Sequence, residues 1–323
     1  MSSSDPRLAT GLCGIPLRNP IIAASGTFAY GVEFAGLVDL AALGGFVVKG
    51  LSREPIEGNP APRLYETAAG MINSVGLQNI GVRAFVKEKL PALAALKTAV
   101  FANIFGYATA DYAETVRVLE AEPGIAGYEL NVSCPNTSHG GIFFSNDPAL
   151  LGEVVAAVKR VATRPIIVKL SPNVDRIEPL AQAAEQNGAD AVSLVNTFVA
   201  LAIDARTRRP RIGAGFGGLS GPAIKPIALR LVCQAARAVK IPVVGLGGIA
   251  TGEDAAEFLI AGATAVQVGT ATFWDPRSPV RIARELAKFP GREKITSVRD
   301  LVGTLKLQGS KAAAGLTPRA ALP

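Results

Sequence analysis

The chain has 323 residues, 49% apolar, 18% charged and 6% aromatic; a chain of this size buries roughly 75% of the surface its unfolded form exposes, which excludes disorder for its bulk. Part of the net charge of +7 comes from an acid-free end holding Lys306, Lys311 and Arg319, and the one dense basic run, Arg206, Arg208, Arg209 and Arg211, has no aromatic before Phe216, so the basic face with interleaved aromatics of a nucleic-acid binder is not found. Cys13, Cys134 and Cys233 form no CxxC pair and no even disulfide framework, which fits a reducing compartment and excludes a four-cysteine iron-sulfur or zinc site within this chain.

Asp5, Pro6 and Arg7 precede any apolar run, unlike a secretory signal. The stretch Phe258 to Trp274 is too short for a membrane span and is interrupted by Gly262, Thr264, Gln267, Gly269 and Thr270. A soluble, cytoplasmic protein is expected. Eight short apolar or β-branched runs follow in chain order: Ile21 to Ala24, Gly45 to Lys49, Ala99 to Ile104, Gly127 to Asn131, Pro165 to Lys169, Ala191 to Val195, Pro242 to Leu246 and Ala265 to Val268. They read as buried parallel strands. Helix signals lie between them: Asp147 before Pro148, then Leu151, Val154, Val155, Val158 and Val161 on one face; Thr251 with Asp254; and Ser278 with Pro279.

Eight strands alternating with helices predict a closed (β/α)8 TIM barrel, an α/β fold, over an open doubly wound sheet, since no GxGxxG follows the first strand. One domain is expected over residues 1–307, with 308–323 as a disordered C-terminal tail. The connections Gly50 to Ile80 and Asn196 to Pro222 are long for such a barrel and read as lids or binding loops.

Chemistry in this fold belongs at the C-terminal strand ends, and polar residues recur there: Lys49, Asn103, Asn131 with Cys134 three residues on, Lys169, and Asn196-Thr197. Gly247-Gly248 and Gly269-Thr270 follow the seventh and eighth strands, where glycine lets backbone N–H groups approach a phosphate. Cys134, flanked by Pro135 and polar residues, is a candidate base or nucleophile or an inert thiol; a base would work as thiolate, from an ordinary pKa of about 8.5. His139 is the only histidine, and no orienting acid makes it a partner for Cys134. The strand-end lysines fit an anionic ligand, a Schiff base or plain packing. The asparagines Asn73, Asn79, Asn103, Asn131, Asn136 and Asn196 suit a planar ligand rich in carbonyl and N–H groups, or simply turns and caps.

Lys49-Gly50, Met71 to Asn79 (MINSVGLQN), Asn131 to Asn136 (NVSCPN), Asn196-Thr197, Gly217 to Pro222 (GGLSGP) and Gly247-Gly248-Ile249 together resemble the class 1 dihydroorotate dehydrogenases, over about Leu8 to Leu307. The form of the MINSVGLQN segment, His139-Gly140-Gly141 and Ala214 to Pro226 are most similar to the NAD-linked (1B) catalytic subunit; the fumarate-linked 1A enzymes are the alternative. The resemblance implies an FMN-containing barrel that oxidises (S)-dihydroorotate to orotate in pyrimidine (UMP) biosynthesis. It makes Cys134 the base, with hydride passing to FMN, and places Lys49, Asn73, Ser74, Val75, Gly76, Leu77, Asn103, Asn131, Asn196 and Thr197 at the substrate. Ser25, Lys49, Gly50, Asn103, Asn131, Lys169, Val195, Gly221, Gly247, Gly248, Gly269 and Thr270 would hold FMN, with no metal. It further implies a homodimer within a heterotetramer, whose partner subunit carries FAD and a 2Fe-2S cluster and passes electrons to NAD. A Schiff-base aldolase using Lys169 and a catalytically silent scaffold are the competing classes.

Overall fold

The eight apolar runs pair edge to edge into a closed parallel barrel. In this computed structural model, which describes residues 5–132, 144–289, 291 and 295–307, the strands are β1 (Ile21–Ala23), β2 (Gly45–Val47), β3 (Ala99–Ile104), β4 (Gly127–Asn131), β5 (Ile166–Lys169), β6 (Ala191–Leu194), β7 (Val243–Leu246) and β8 (Ala265–Val268). Each pairs with its sequence neighbour, and β8 pairs with β1 to close the ring. The expected (β/α)8 barrel is therefore present. The proposed tail, 308–323, lies outside the described residues.

Local chemistry explains the helices around it. Asp147 accepts from the N–H groups of Ala149 and Leu150 at 2.7 and 3.3 Å, opening Pro148–Lys159, and Leu151, Val154, Val155 and Val158 are buried on its inner face. Each such burial contributes roughly 1.5–3 kcal/mol. Thr251 and Asp254 form the reciprocal capping box that starts Gly252–Ala261. At Ser278–Leu286 the cap falls on Arg277, and Ser278 is the first helical residue. After β1 the chain makes only short 3-10 turns, Val32–Phe34 and Leu40–Ala42, instead of an α-helix.

Period-two alternation layers the interior. Ile22, Val47, Phe101, Ile167, Ala191, Val244 and Ala265 form an apolar floor, closed from below by Leu12 and Leu17 of the hairpin Thr10–Leu12 and Ile15–Leu17. Two residues further along β3, β5, β6 and β8 stand Asn103, Lys169, Ser193 and Gln267, with Glu129 among them on β4. The second layer is polar.

The two long connections are not structureless lids. They meet as one antiparallel sheet, ordered Phe198–Leu201, Phe216–Ser220, Gly70–Asn73 and Leu64–Thr67. Its strands come from the connections after β2 and β6, so neither half forms a sheet alone, and neither connection shows the uninterrupted apolar run that marks a barrel strand. The arginine run lies on the small hairpin Ile203–Asp204 and Arg209–Pro210, where Arg211 pairs with Asp204 at 3.5 Å and stacks on Tyr65.

Candidate active site

At the C-terminal end of the barrel, Asn196 donates through Nδ2 to Asn131 Oδ1 at 3.2 Å, and its own Oδ1 accepts from the Thr197 N–H at 2.9 Å. Tyr112 fixes the Asn131 backbone by donating to its carbonyl at 3.0 Å. Asn73 donates to the Gly218 carbonyl at 3.2 Å, and a Cβ on Gly218 would collide with the Thr197 hydroxyl. Asn73, Thr197, Asn196 and Asn131 are thus linked through the sheet and strand ends. Ser74 accepts from Asn59 Nδ2 at 2.7 Å, while Gly76 and Leu77 carry positive φ of 74° and 60°. Only glycine would let Asn59 approach so closely at position 76. Arg63 braces this loop through Gln78 and the carbonyls of Asn59 and Glu57.

Lys49 is half-buried just past β2, and its ammonium has no hydrogen bond or ion pair among the described residues. Desolvation, reinforced by the Arg63 charge and opposed by Glu33, holds it below the usual lysine range. Such a cation is suited to an anion brought in by a ligand.

On the other side, Gly247 and Gly248 have positive φ of 130° and 81°. Side chains there would strike Ala228 and, at 2.8 Å, the Gly221 carbonyl. Thr270 donates to Ser220 at 2.8 Å, tying the loop after β8 to the sheet. The N–H groups of Gly248, Gly269 and Thr270 find no backbone or side-chain acceptor among the described residues. Unsatisfied N–H groups on two adjacent loops are the donor set that a phosphate takes. Val195 abuts Gly247, and Gly50 lies against Asn103. Gly221 borders Thr270 in the same way.

Between these two regions lies Glu129, which is fully buried. Its Oε1 accepts from Asn103 Nδ2 at 2.8 Å, Ser25 Oγ at 3.3 Å and Lys169 Nζ at 3.4 Å. Oε2 accepts from Gln267 Nε2 at 2.6 Å and Ser193 Oγ at 3.0 Å. Burial pushes this carboxyl up, but the Lys169 charge and the bonds from Gln267, Asn103 and Ser193 outweigh it and hold it below its ordinary value. Lys169 also donates to Ser25 at 3.3 Å.

Asn73, Asn131, Asn196 and Thr197 are thus brought together, as are Ser25, Asn103 and Lys169 around Glu129. Asn79 does not serve the site directly: it is buried and bonded to Ser52, Leu77 and Gly81. The Asn103 amide donor goes to Glu129. Cys134, Asn136 and His139 lie outside the described residues. Glu129, Ser193 and Gln267 are not picked out by the sequence, because a search of strand ends and their following loops does not select them. The signal was the alternation Gly127, Glu129, Asn131, a charged residue on the inner face between buried Tyr128 and Leu130.

Fold and site together define a (β/α)8-barrel protein whose candidate site, at the C-terminal mouth, is lined by amides and a lysine. The dihydroorotate dehydrogenase family model matches residues 7–289, and the chain belongs to that family. It is 79% identical over 301 residues to a Solibacter usitatus protein named putative dihydroorotate dehydrogenase A (fumarate), covering 93% of this chain and 99% of that one. It is 51% identical over 302 residues to the Citrifermentans bemidjiense dihydroorotate dehydrogenase B (NAD(+)) catalytic subunit, covering 94% and 99%. The Geobacter sulfurreducens protein of the same name is also 51% identical, over 302 residues, with 94% and 99% covered. Both branches of class 1 are thus represented among its relatives. No helix among the described residues is long and apolar enough to cross a membrane.

Proposed function

We propose that this chain is the FMN-containing catalytic subunit of an NAD-linked dihydroorotate dehydrogenase, oxidising (S)-dihydroorotate to orotate for pyrimidine (UMP) biosynthesis. The observation that carries this reading is the gathering at one barrel mouth of Lys49, the linked amides Asn131 and Asn196, and the N–H groups of Gly248, Gly269 and Thr270, the lysine and these N–H groups having no partner among the described residues. Dihydroorotate is a cyclic amide with a carboxylate. Its charge suits Lys49, and its carbonyl and N–H groups suit Asn73, Asn131, Asn196 and Thr197, with Ser74 to Leu77 as the adjoining wall.

The residues fit FMN as well. A phosphate matches the N–H donors after β7 and β8; Lys169, Ser25 and Asn103 supply polar groups with one cation, and Gly50, Val195 and Gly221 would form the rest of the wall. When bound, FMN supplies hydride acceptance. The protein's part is to hold the substrate carboxylate at Lys49, orient the ring through paired amides, and remove one carbon-bound proton through Cys134 as thiolate. The Schiff-base reading of Lys169 loses ground to Glu129, which gives the lysine a counter-ion instead of the apolar or cationic setting that activates such amines.

Electron transfer to NAD would run through a partner subunit carrying FAD and 2Fe-2S, in line with the words "catalytic subunit" in the names of relatives near 50% identity. Val199, Leu201 and Phe216 expose apolar side chains on the sheet, a surface suited to packing against another chain; the assembly proposed is a homodimer within a heterotetramer. Fumarate as acceptor is the second reading, favoured by the name of the 79%-identical relative.

The test is anaerobic. The purified chain, reconstituted with FMN, should bleach on adding dihydroorotate, and Cys134→Ala should retain the flavin yet lose most of that bleaching. Unchanged flavin reduction in the variant refutes the base assignment. Turnover with fumarate by the chain alone assigns the second reading; turnover with NAD only after adding an electron-transfer subunit supports the first.

A further inference from the structure

We propose that Glu129 is a positioning residue for Lys169 and sets how much positive charge that lysine presents to the bound cofactor, an inference that rests on the flavin reading above. A carboxylate fully removed from water is poor value for stability alone, because well-packed apolar residues often serve as well or better. Here its geometry is elaborate. Donors reach it from β3, β5, β6 and β8 and from Ser25 just past β1, and both oxygens are engaged.

Lys169 is 5% exposed, and Glu129 is its one salt-bridge partner among the described residues. Its ammonium donates to both Ser25 and Glu129, while Ser25 donates to the same carboxylate oxygen. That triangle prevents the lysine from swinging without breaking a buried charge pair. Gln267 turns Nε2 toward Glu129 and leaves Oε1 buried with no partner among the described residues. Its orientation thus serves the carboxylate at the expense of its own acceptor, marking Glu129 as the group around which the layer is arranged.

The electrostatic consequence has a sign. With Glu129 ionised, the two charges largely offset each other beyond their immediate surroundings. With glutamine there, volume is kept and the full lysine charge acts on whatever sits at the mouth. Negative charge taken up by a flavin on reduction is then better stabilised. Removing the Ser193 hydroxyl works in the opposite sense: the carboxylate keeps its charge with one donor fewer to disperse it, so the mouth becomes slightly less positive.

The experiment compares FMN holoproteins of the wild type, Glu129→Gln, Glu129→Asp and Ser193→Ala by dye-coupled potentiometric titration and visible spectrum, with a thermal melt of each. A positive shift of flavin midpoint potential in Glu129→Gln, restored toward wild type in Glu129→Asp, and a smaller negative shift in Ser193→Ala are expected. Folded Glu129→Gln with wild-type potential and spectrum overturns the proposal, even if it melts earlier. Should Glu129→Gln fail to fold, Ser193→Ala decides, and an unmoved or positive potential there refutes it. A wild-type chain that takes up no FMN overturns both this inference and the reading beneath it; flavin bound with unmoved potentials overturns this one alone.

Discussion

Replacing Lys49 with methionine separates what this side chain does for ligand from what it does for the fold. The ammonium is half-buried, has no hydrogen bond or ion pair among the described residues, and is held below the usual lysine range first by desolvation and then by Arg63. Methionine keeps most of the length and packing and strands no partner, so stability should stay within about 0.5 kcal/mol of wild type or improve. Recognition of a carboxylate, by contrast, loses a charge-assisted hydrogen bond of about 1.5–3 kcal/mol. That corresponds to roughly 10- to 150-fold weaker orotate binding, at about 1.4 kcal/mol per decade. Orotate titration followed by flavin absorbance gives the affinity, and a thermal melt gives the stability. The pH dependence carries a sign: as pH rises through the depressed Lys49 value the cation is lost, so wild-type orotate affinity falls, whereas Lys49→Met lacks this alkaline limb. Unchanged orotate affinity in the variant, or a large loss of stability at constant affinity, would refute the assignment of Lys49 as the carboxylate's partner.

Two further outcomes follow from the geometry. Gly248→Ala places a Cβ 2.8 Å from the Gly221 carbonyl and 2.9 Å from Lys225 Cβ at a φ of 81°, a conformation costing about 1–2 kcal/mol for an L side chain; FMN retention, read from fluorescence on release, should weaken about tenfold or more, and wild-type retention would remove this loop from the cofactor site. Asn103→Leu takes a donor from the buried Glu129 and should cost about 1.5–3 kcal/mol in denaturant unfolding at neutral pH. The folded pKa of Glu129 is lowered, so its contribution is complete above the unfolded carboxyl value of about 4.3 and is lost as pH falls through the folded value; the penalty of Asn103→Leu should shrink over that acid range, and a pH-independent penalty would point to packing instead.

Much was legible before any coordinates. The barrel strands appear where β-branched runs alternate with capped helices, because strand pairing buries continuous apolar runs and caps satisfy N–H groups a few residues away: Asp147 and Thr251 act on their own first turns. The motifs carrying the family resemblance were equally local, and strand-end Lys49, Asn131, Lys169 and Asn196 fell where barrel chemistry belongs. Gly50 to Ile80 and Asn196 to Pro222, however, read only as loops, since each holds half of a sheet whose other half is far along the chain.

Tertiary structure decided the partnerships. Glu129 is 104 residues from Ser25 and 138 from Gln267, and nothing in either neighbourhood announces the other. Barrel closure brings their inward-facing positions into one layer, where a carboxylate without water needs donors and takes them from five surrounding segments. Lys49 lies at the same end of the barrel and has no such partner among the described residues. Sequence periodicity determined which residues face inward, because side-chain direction is set by the backbone residue by residue; which charges are neutralised by a partner depended on closure of the ring, because electrostatic energy depends on distance through space.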